Sequence, residues 1–191
     1  MPAAPKETFT MPTPDPSGLP AEITALPRDP RNGLPIPAVN RFGDNHDFTT
    51  VNGAEALRLG AERRCGVCTR PLAELVAFIG GTKAAEARTF SDPPMHPACA
   101  EAAITLCPHI ARSHARRASE RRAASNPLKP TTASGWSEDK PELWIIGLTR
   151  HYRIEIRPTA DGDRVAVFVA HPFTNQRTFG YDSAGRIAEQ R

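Results

Sequence analysis

Residues 65–72, CGVCTRPL, and residues 96–100, HPACA, decide how this chain is read. The first contains a C-x2-C pair, Cys65 and Cys68. The second, separated from Cys68 by 27 intervening residues, contains an H-x2-C pair, His96 and Cys99. Zinc takes four N or S ligands in a tetrahedron, and a C-x2-C turn aims two thiolates at one point. Gly66 is expected to ease that tight turn. His96 and Cys99 lie three apart where Pro97 and a run of alanines predict a helix start. A helix N-terminus also favours thiolate charge. The four residues Cys65, Cys68, His96 and Cys99 are therefore predicted to hold one zinc ion. A full set of protein ligands leaves no position for water, so the zinc is expected to be structural.

Two other readings compete. The cysteines could be ordinary buried ones, or CGVC could be a thioredoxin-like redox pair. The second ligand pair and the nearby Pro71 favour metal. Cys107, eight residues beyond Cys99, would lie about 12 Å farther along a regular helix and is expected in the core rather than on the ion. His109 and His114 are expected at the surface.

Outward from the knuckle, LAELVAFIG (72–80), the Gly80-Gly81 pair and ARTFSD (87–92) predict a β-hairpin. Upstream, HDFTTV (46–51) reads as a short strand and Asn52 as the N-cap of a helix with Ala54, Leu57 and Ala61 on one face. The order knuckle, hairpin, ligand-bearing helix is similar to that of treble-clef zinc modules. Pro108 is expected to end or kink the helix after His96. Residues 142–191 read as an antiparallel β meander with a turn at 161–163 and a short terminal helix.

The fold class expected is α+β. A disordered Pro-rich arm spans 1–37 and a small treble-clef-like zinc domain with an Arg-rich helical extension spans 38–129. A linker at 130–141 leads into the β-rich segment 142–191. Ten of the 20 prolines fall in the first 37 residues, where X-Pro steps exclude helix and apolar side chains are scattered. The end of that arm, RNGLPIP, is expected to dock locally.

The net charge of +3 and pI near 8.8 are far from those of a dedicated nucleic-acid coat. The charge is nevertheless concentrated at Arg112, Arg116, Arg117, Arg121 and Arg122, opposed by Glu120 alone. A basic helix there could track phosphates, although no aromatic residue interleaves to stack bases. MPAAPKETFTMPTP lacks the apolar stretch of a secretory signal, and no run approaches a membrane span of about 20 residues. A cytoplasmic protein without membrane contact is expected, and in that setting four cysteines suggest metal rather than disulfides.

Enzyme signatures are sparse. Gly80-Gly81-Thr82-Lys83 lacks the upstream glycine of a phosphate loop, no G-x-S-x-G elbow occurs, and no small-molecule substrate is implied. Some treble-clef modules are His-Asn-His nucleases. Here no histidine lies between Cys68 and His96, and the cluster GDNHD (43–47) precedes the knuckle. His151 and His171, on neighbouring expected strands, could approach each other.

GLPIP (33–37), DFT (47–49), CGVCTRPL, HPACA, CP (107–108) and TRHY (149–152) together resemble a group of small zinc-site proteins of actinobacteria and their phages. The resemblance covers about residues 33–155, and the knuckle with HPACA is its most specific part. Thr69 stands where that group often has Gly. The resemblance implies zinc and supplies no activity. The function expected is a non-enzymatic structural-zinc module that binds a protein or nucleic-acid partner, with a metal-dependent nuclease as the alternative.

Overall fold

The computed structural model describes residues 18–48, 50–113, 140–159 and 162–190. It is an α+β fold whose sheets are antiparallel throughout. Strand β1 (Arg41–Phe42) pairs with β2 (Asn45–His46), and helix α2 (Gly53–Ala61) follows the four-residue helix α1 (Ala21–Thr24) in chain order. Then come β3 (Val76–Gly81), α3 (Thr82–Ala87), β4 (Thr89–Phe90), α4 (Pro97–Leu106) and α5 (Pro108–Ala111). The last quarter supplies β5 (Trp144–Thr149), β6 (Tyr152–Pro158), β7 (Arg164–Ala170), β8 (Asn175–Tyr181) and β9 (Ile187–Gln190). One sheet has the order β3-β5-β8-β9 and another β4-β7-β6. Among the described residues, no helix is long and apolar enough to cross a membrane.

Strand β3 explains the architecture. Its residues VAFIG are all buried, and a strand covered on both faces reads as a continuous apolar run rather than an alternating one. Alternation then sorts the side chains between two cores. Ala77 and Ile79 join α4, Trp144, Ile146 and the metal-site cysteines. Val76 and Phe78 join Ala56 and Leu59 of α2, Phe90 of β4 and Phe168 of β7. Phe78 stacks on Phe90 at 4.8 Å between ring centres.

The expected hairpin does not form. Gly80 and Gly81 continue β3 opposite Ile145 and Trp144 of β5, and the chain then turns into α3. The glycines answer to close packing. A Cβ on Gly81 would lie 2.5 Å from Pro141 Cγ, and one on Gly80 would lie 2.9 Å from Phe90 Cε1. Residues 142–191 likewise do not form a meander of their own. Strands β5, β8 and β9 extend the sheet that β3 begins, while β6 and β7 pair with each other and with β4. Of the expected linker, 140 and 141 are described. Lys140 Nζ donates to the carbonyl of Arg112, so the chain returns beside the point at which it left.

The expected terminal helix is instead β9. The segment Asp182–Gly185 makes a tight turn in which Asp182 Oδ1 accepts from the N–H groups of Ala184 and Arg186, both at 2.9 Å. Such Asp chemistry overrides the modest helix propensity of AEQ. The strand expected at 46–51 shrinks to Asn45–His46, because the carbonyls of Asp47 and Thr50 are taken by the Asn40 side-chain amide.

Helix α2 begins at Asn52 as expected, its side chain accepting from Glu55 N–H at 3.2 Å. Its buried face is Ala56, Leu59 and Gly60, not Ala54, Leu57 and Ala61, which are exposed. Both stripes obey helical spacing. The close approach of Phe168, whose ring would lie 2.3 Å from a Cβ on Gly60, selects the face that carries the glycine.

The second half of the Pro-rich arm is packed. Ile23 and Leu26 lie in the core beside Cys65 and Cys99, and Leu34 and Ile36 are buried. The 28–35 loop is tied by Asp29, whose side chain is fully buried and accepts two-pronged donation from Arg31 and contact from His46 Nε2 at 3.0 Å. Donation by Arg31 holds the Asp29 carboxyl well below the usual carboxylate range. A depressed folded-state value contributes stability above the unfolded value of about 4 and loses it as pH falls. Asp29→Ala is expected to cost about 2 kcal/mol at pH 7, less as acid unfolding begins. Equal losses at pH 7 and pH 3 in denaturant melts would contradict this role.

Candidate metal centre

The knuckle follows α2 directly. Cys65 N–H donates to Arg70 O at 2.9 Å and Thr69 N–H to Cys65 O at 2.9 Å, closing a turn around the two cysteines. An isolated bridge between Arg64 and Pro71 flanks it. Two further segments brace it. Gly66 N–H donates to Pro94 O at 3.0 Å, and the carbonyls of Gly66 and Val67 accept from Val39 and Ala38. The GLPIP segment therefore leads into the back of the knuckle. Gly66 is required for room rather than for its backbone angles: an added Cβ would sit 2.6 Å from Pro93 Cγ.

Thr69 carries the strain that the tight turn needs, with φ of +63°. A β-branched residue there is a true outlier, and the left-handed region costs L-residues roughly 1–2 kcal/mol. Glycine adopts this conformation without that cost. Thr69→Gly is expected to stabilise the protein by about 1 kcal/mol after the entropy cost of glycine is deducted. A lowered urea midpoint would contradict the strain.

The second ligand pair is positioned by β3. Met95 and Ala77 exchange backbone hydrogen bonds of 2.8 and 3.0 Å, placing His96 at the N-cap position of α4 in extended conformation and Pro97 at the first helical position. Cys99 follows in the first turn.

All four predicted ligands converge. One ligand atom from each of Cys65, Cys68, His96 and Cys99 lies within 4.8 Å of every other. His96 Nδ1 is 3.4 Å from Cys68 Sγ and 3.7 Å from Cys99 Sγ. A tetrahedron with about 2.3 Å Zn–S and 2.1 Å Zn–N bonds has edges of roughly 3.6 to 3.8 Å. Cys65, Cys68 and Cys99 are buried. His96 Nε2 lies 3.0 Å from Pro71 O. A carbonyl only accepts, so Nε2 carries the proton and Nδ1 presents its lone pair to the sulfurs, the outer-sphere arrangement usual for a metal histidine.

The thiols interact strongly. Cys65, and then Cys99, donate to Cys68 and hold its thiol well below the ordinary range. The Cys65 thiol is pushed up first by its contact with Cys68, and the Cys99 thiol first by its contact with Cys65, with burial adding to both. Three sulfurs this close cannot all be thiolates unless a cation sits among them. Three soft thiolates and one imidazole fit zinc rather than magnesium or calcium. The four residues form a zinc-binding site.

Cys107 stands outside this cluster, at the junction of α4 and α5, where burial pushes its thiol up. His46 is engaged with Asp29. Arg112 is half-buried and bridges Arg186 through its backbone, while Arg116, Arg117, Arg121 and Arg122 lie outside the described residues, as does His114. The Pro71 carbonyl was not foreseen, because a backbone acceptor leaves no side-chain signal. Comparison with protein-family models, with curated proteins and with solved structures finds no match.

Proposed function

We propose that this chain is a non-enzymatic module whose zinc is structural and whose surfaces bind a macromolecular partner, a nucleic acid or a protein. One observation carries the reading. The ligand set is complete with protein atoms, three of the four residues are buried, and His96 is locked by Pro71, so no coordination position is left for an attacking water. The zinc then acts by holding α2, the knuckle, β3 and α4 together. The motifs shared with the zinc-site proteins of actinobacteria and their phages agree with a role in a phage or mobile-element setting.

The clustering of Arg112, Arg116, Arg117, Arg121 and Arg122 favours nucleic acid as the first partner to try. Gel shifts of zinc-loaded protein on duplex and single-stranded DNA test it. Phosphate-tracking arginines predict a log–log salt slope of about −0.9 for each phosphate neutralised on duplex. Replacing Arg116, Arg117, Arg121 and Arg122 by Gln should flatten that slope. A protein that co-purifies and survives nuclease treatment would identify a protein partner instead. Metal-dependent cleavage of the DNA, abolished by replacing a histidine that is not a ligand, would overturn the non-enzymatic reading in favour of a nuclease.

A further inference from the structure

Two histidines outside the zinc centre meet at the end of the β6–β7 ladder. The last registered pair is Tyr152 with Ala170, and one step outward His171 N–H donates to His151 O at 2.9 Å. The two imidazoles stand beside each other, ring centres 5.7 Å apart at 62°, and both residues are exposed. We propose that His151 and His171 form a second, exchangeable site for a borderline divalent cation such as Zn2+, Ni2+ or Cu2+.

The spacing suits one shared ion. A metal–nitrogen bond of about 2.1 Å plus about 1.15 Å from nitrogen to ring centre puts each centre about 3.25 Å from the ion, so two rings at the tetrahedral angle stand roughly 5.3 Å apart. The observed separation exceeds this by about 0.4 Å, which a small χ rotation of exposed side chains supplies. The backbone beneath is already fixed. Thr149, 1% exposed, places its hydroxyl 3.2 Å from His151 O and 3.4 Å from Pro172 O, clamping the two turns that carry the histidines. The adjacent Arg150 is ion-paired to Glu74 at 2.6 Å, which offsets the cation nearest in sequence. Imidazole donors select zinc, nickel and copper over magnesium and calcium. Two protein ligands leave the remaining positions to water, so this ion binds more weakly than the first and can accept a ligand from outside.

Calorimetric titration of Ni2+ into the untagged full chain, already carrying its first zinc, tests the site. One further equivalent should bind. His151→Ala and His171→Ala should each weaken it by at least about tenfold, the loss seen even when an outer partner of a metal is removed. Both variants should keep the first zinc by elemental analysis, which separates failure here from failure of the structural site, and His114→Ala should change nothing. Absence of the further equivalent, or undiminished nickel binding in the double variant, would overturn the proposal.

Discussion

Cys65→Ser or Cys99→Ser is expected to leave the protein without its central fold. Each removes one of three thiolates from a cluster in which Cys65 is 0% and Cys99 1% exposed, and metal-site free energy is folding free energy when the unfolded chain has no preformed site. Structural zinc in small modules contributes on the order of 10 kcal/mol, comparable with the whole stability of a domain. The loss should propagate. The same buried cluster contains Ile23 and Leu26 from the arm, Ala77 and Ile79 of β3, and Trp144, Ile146 and Phe179 of the C-terminal strands. Strong chelation should therefore collapse circular-dichroism signal from both halves of the chain, and a chelated protein that keeps its native spectrum would show that the metal is dispensable.

Phe168→Ala is expected to cost about 4 kcal/mol, within the range for deleting a buried phenyl ring. Phe168 is fully buried in β7 and packs against Gly60 of α2, five residues before Cys65. Tyr152 of β6 adds a hydrogen bond of 2.6 Å from its hydroxyl to Gly60 O. The C-terminal strands thus buttress the helix that delivers the knuckle. Loss of the ring should lower the unfolding midpoint and ease zinc release to a competing chelator in the same variant. Unchanged zinc release, with only a lowered midpoint in part of the signal, would mean that the two halves unfold separately.

What was legible in the sequence followed from local rules. A tetrahedron demands paired ligands at short spacing, so Cys65, Cys68, His96 and Cys99 stood out. Asn52 and Pro97 marked helix starts because caps act within one turn. Pairing over long sequence distance was not legible. Strand β3 reads as half of a hairpin until β5, more than 60 residues later, is known to be its partner. The face of α2 could not be chosen because two apolar stripes fit, and the deciding contact, Phe168, lies far along the chain. Proline content made residues 18–30 look solvated, although Ile23 and Leu26 anchor them, while the RNGLPIP end docks through Leu34 and Ile36 as its sequence suggests. The Gly80-Gly81 pair carried the wrong message because glycine serves close packing as readily as turns.

Elemental analysis of the purified chain and its cysteine variants tests the central claim most directly. One zinc per chain is predicted for the wild type and for Cys107→Ser, with loss of the metal in Cys99→Ser. Full zinc retention in Cys99→Ser, or loss of zinc in Cys107→Ser with Cys99 intact, would contradict the ligand set.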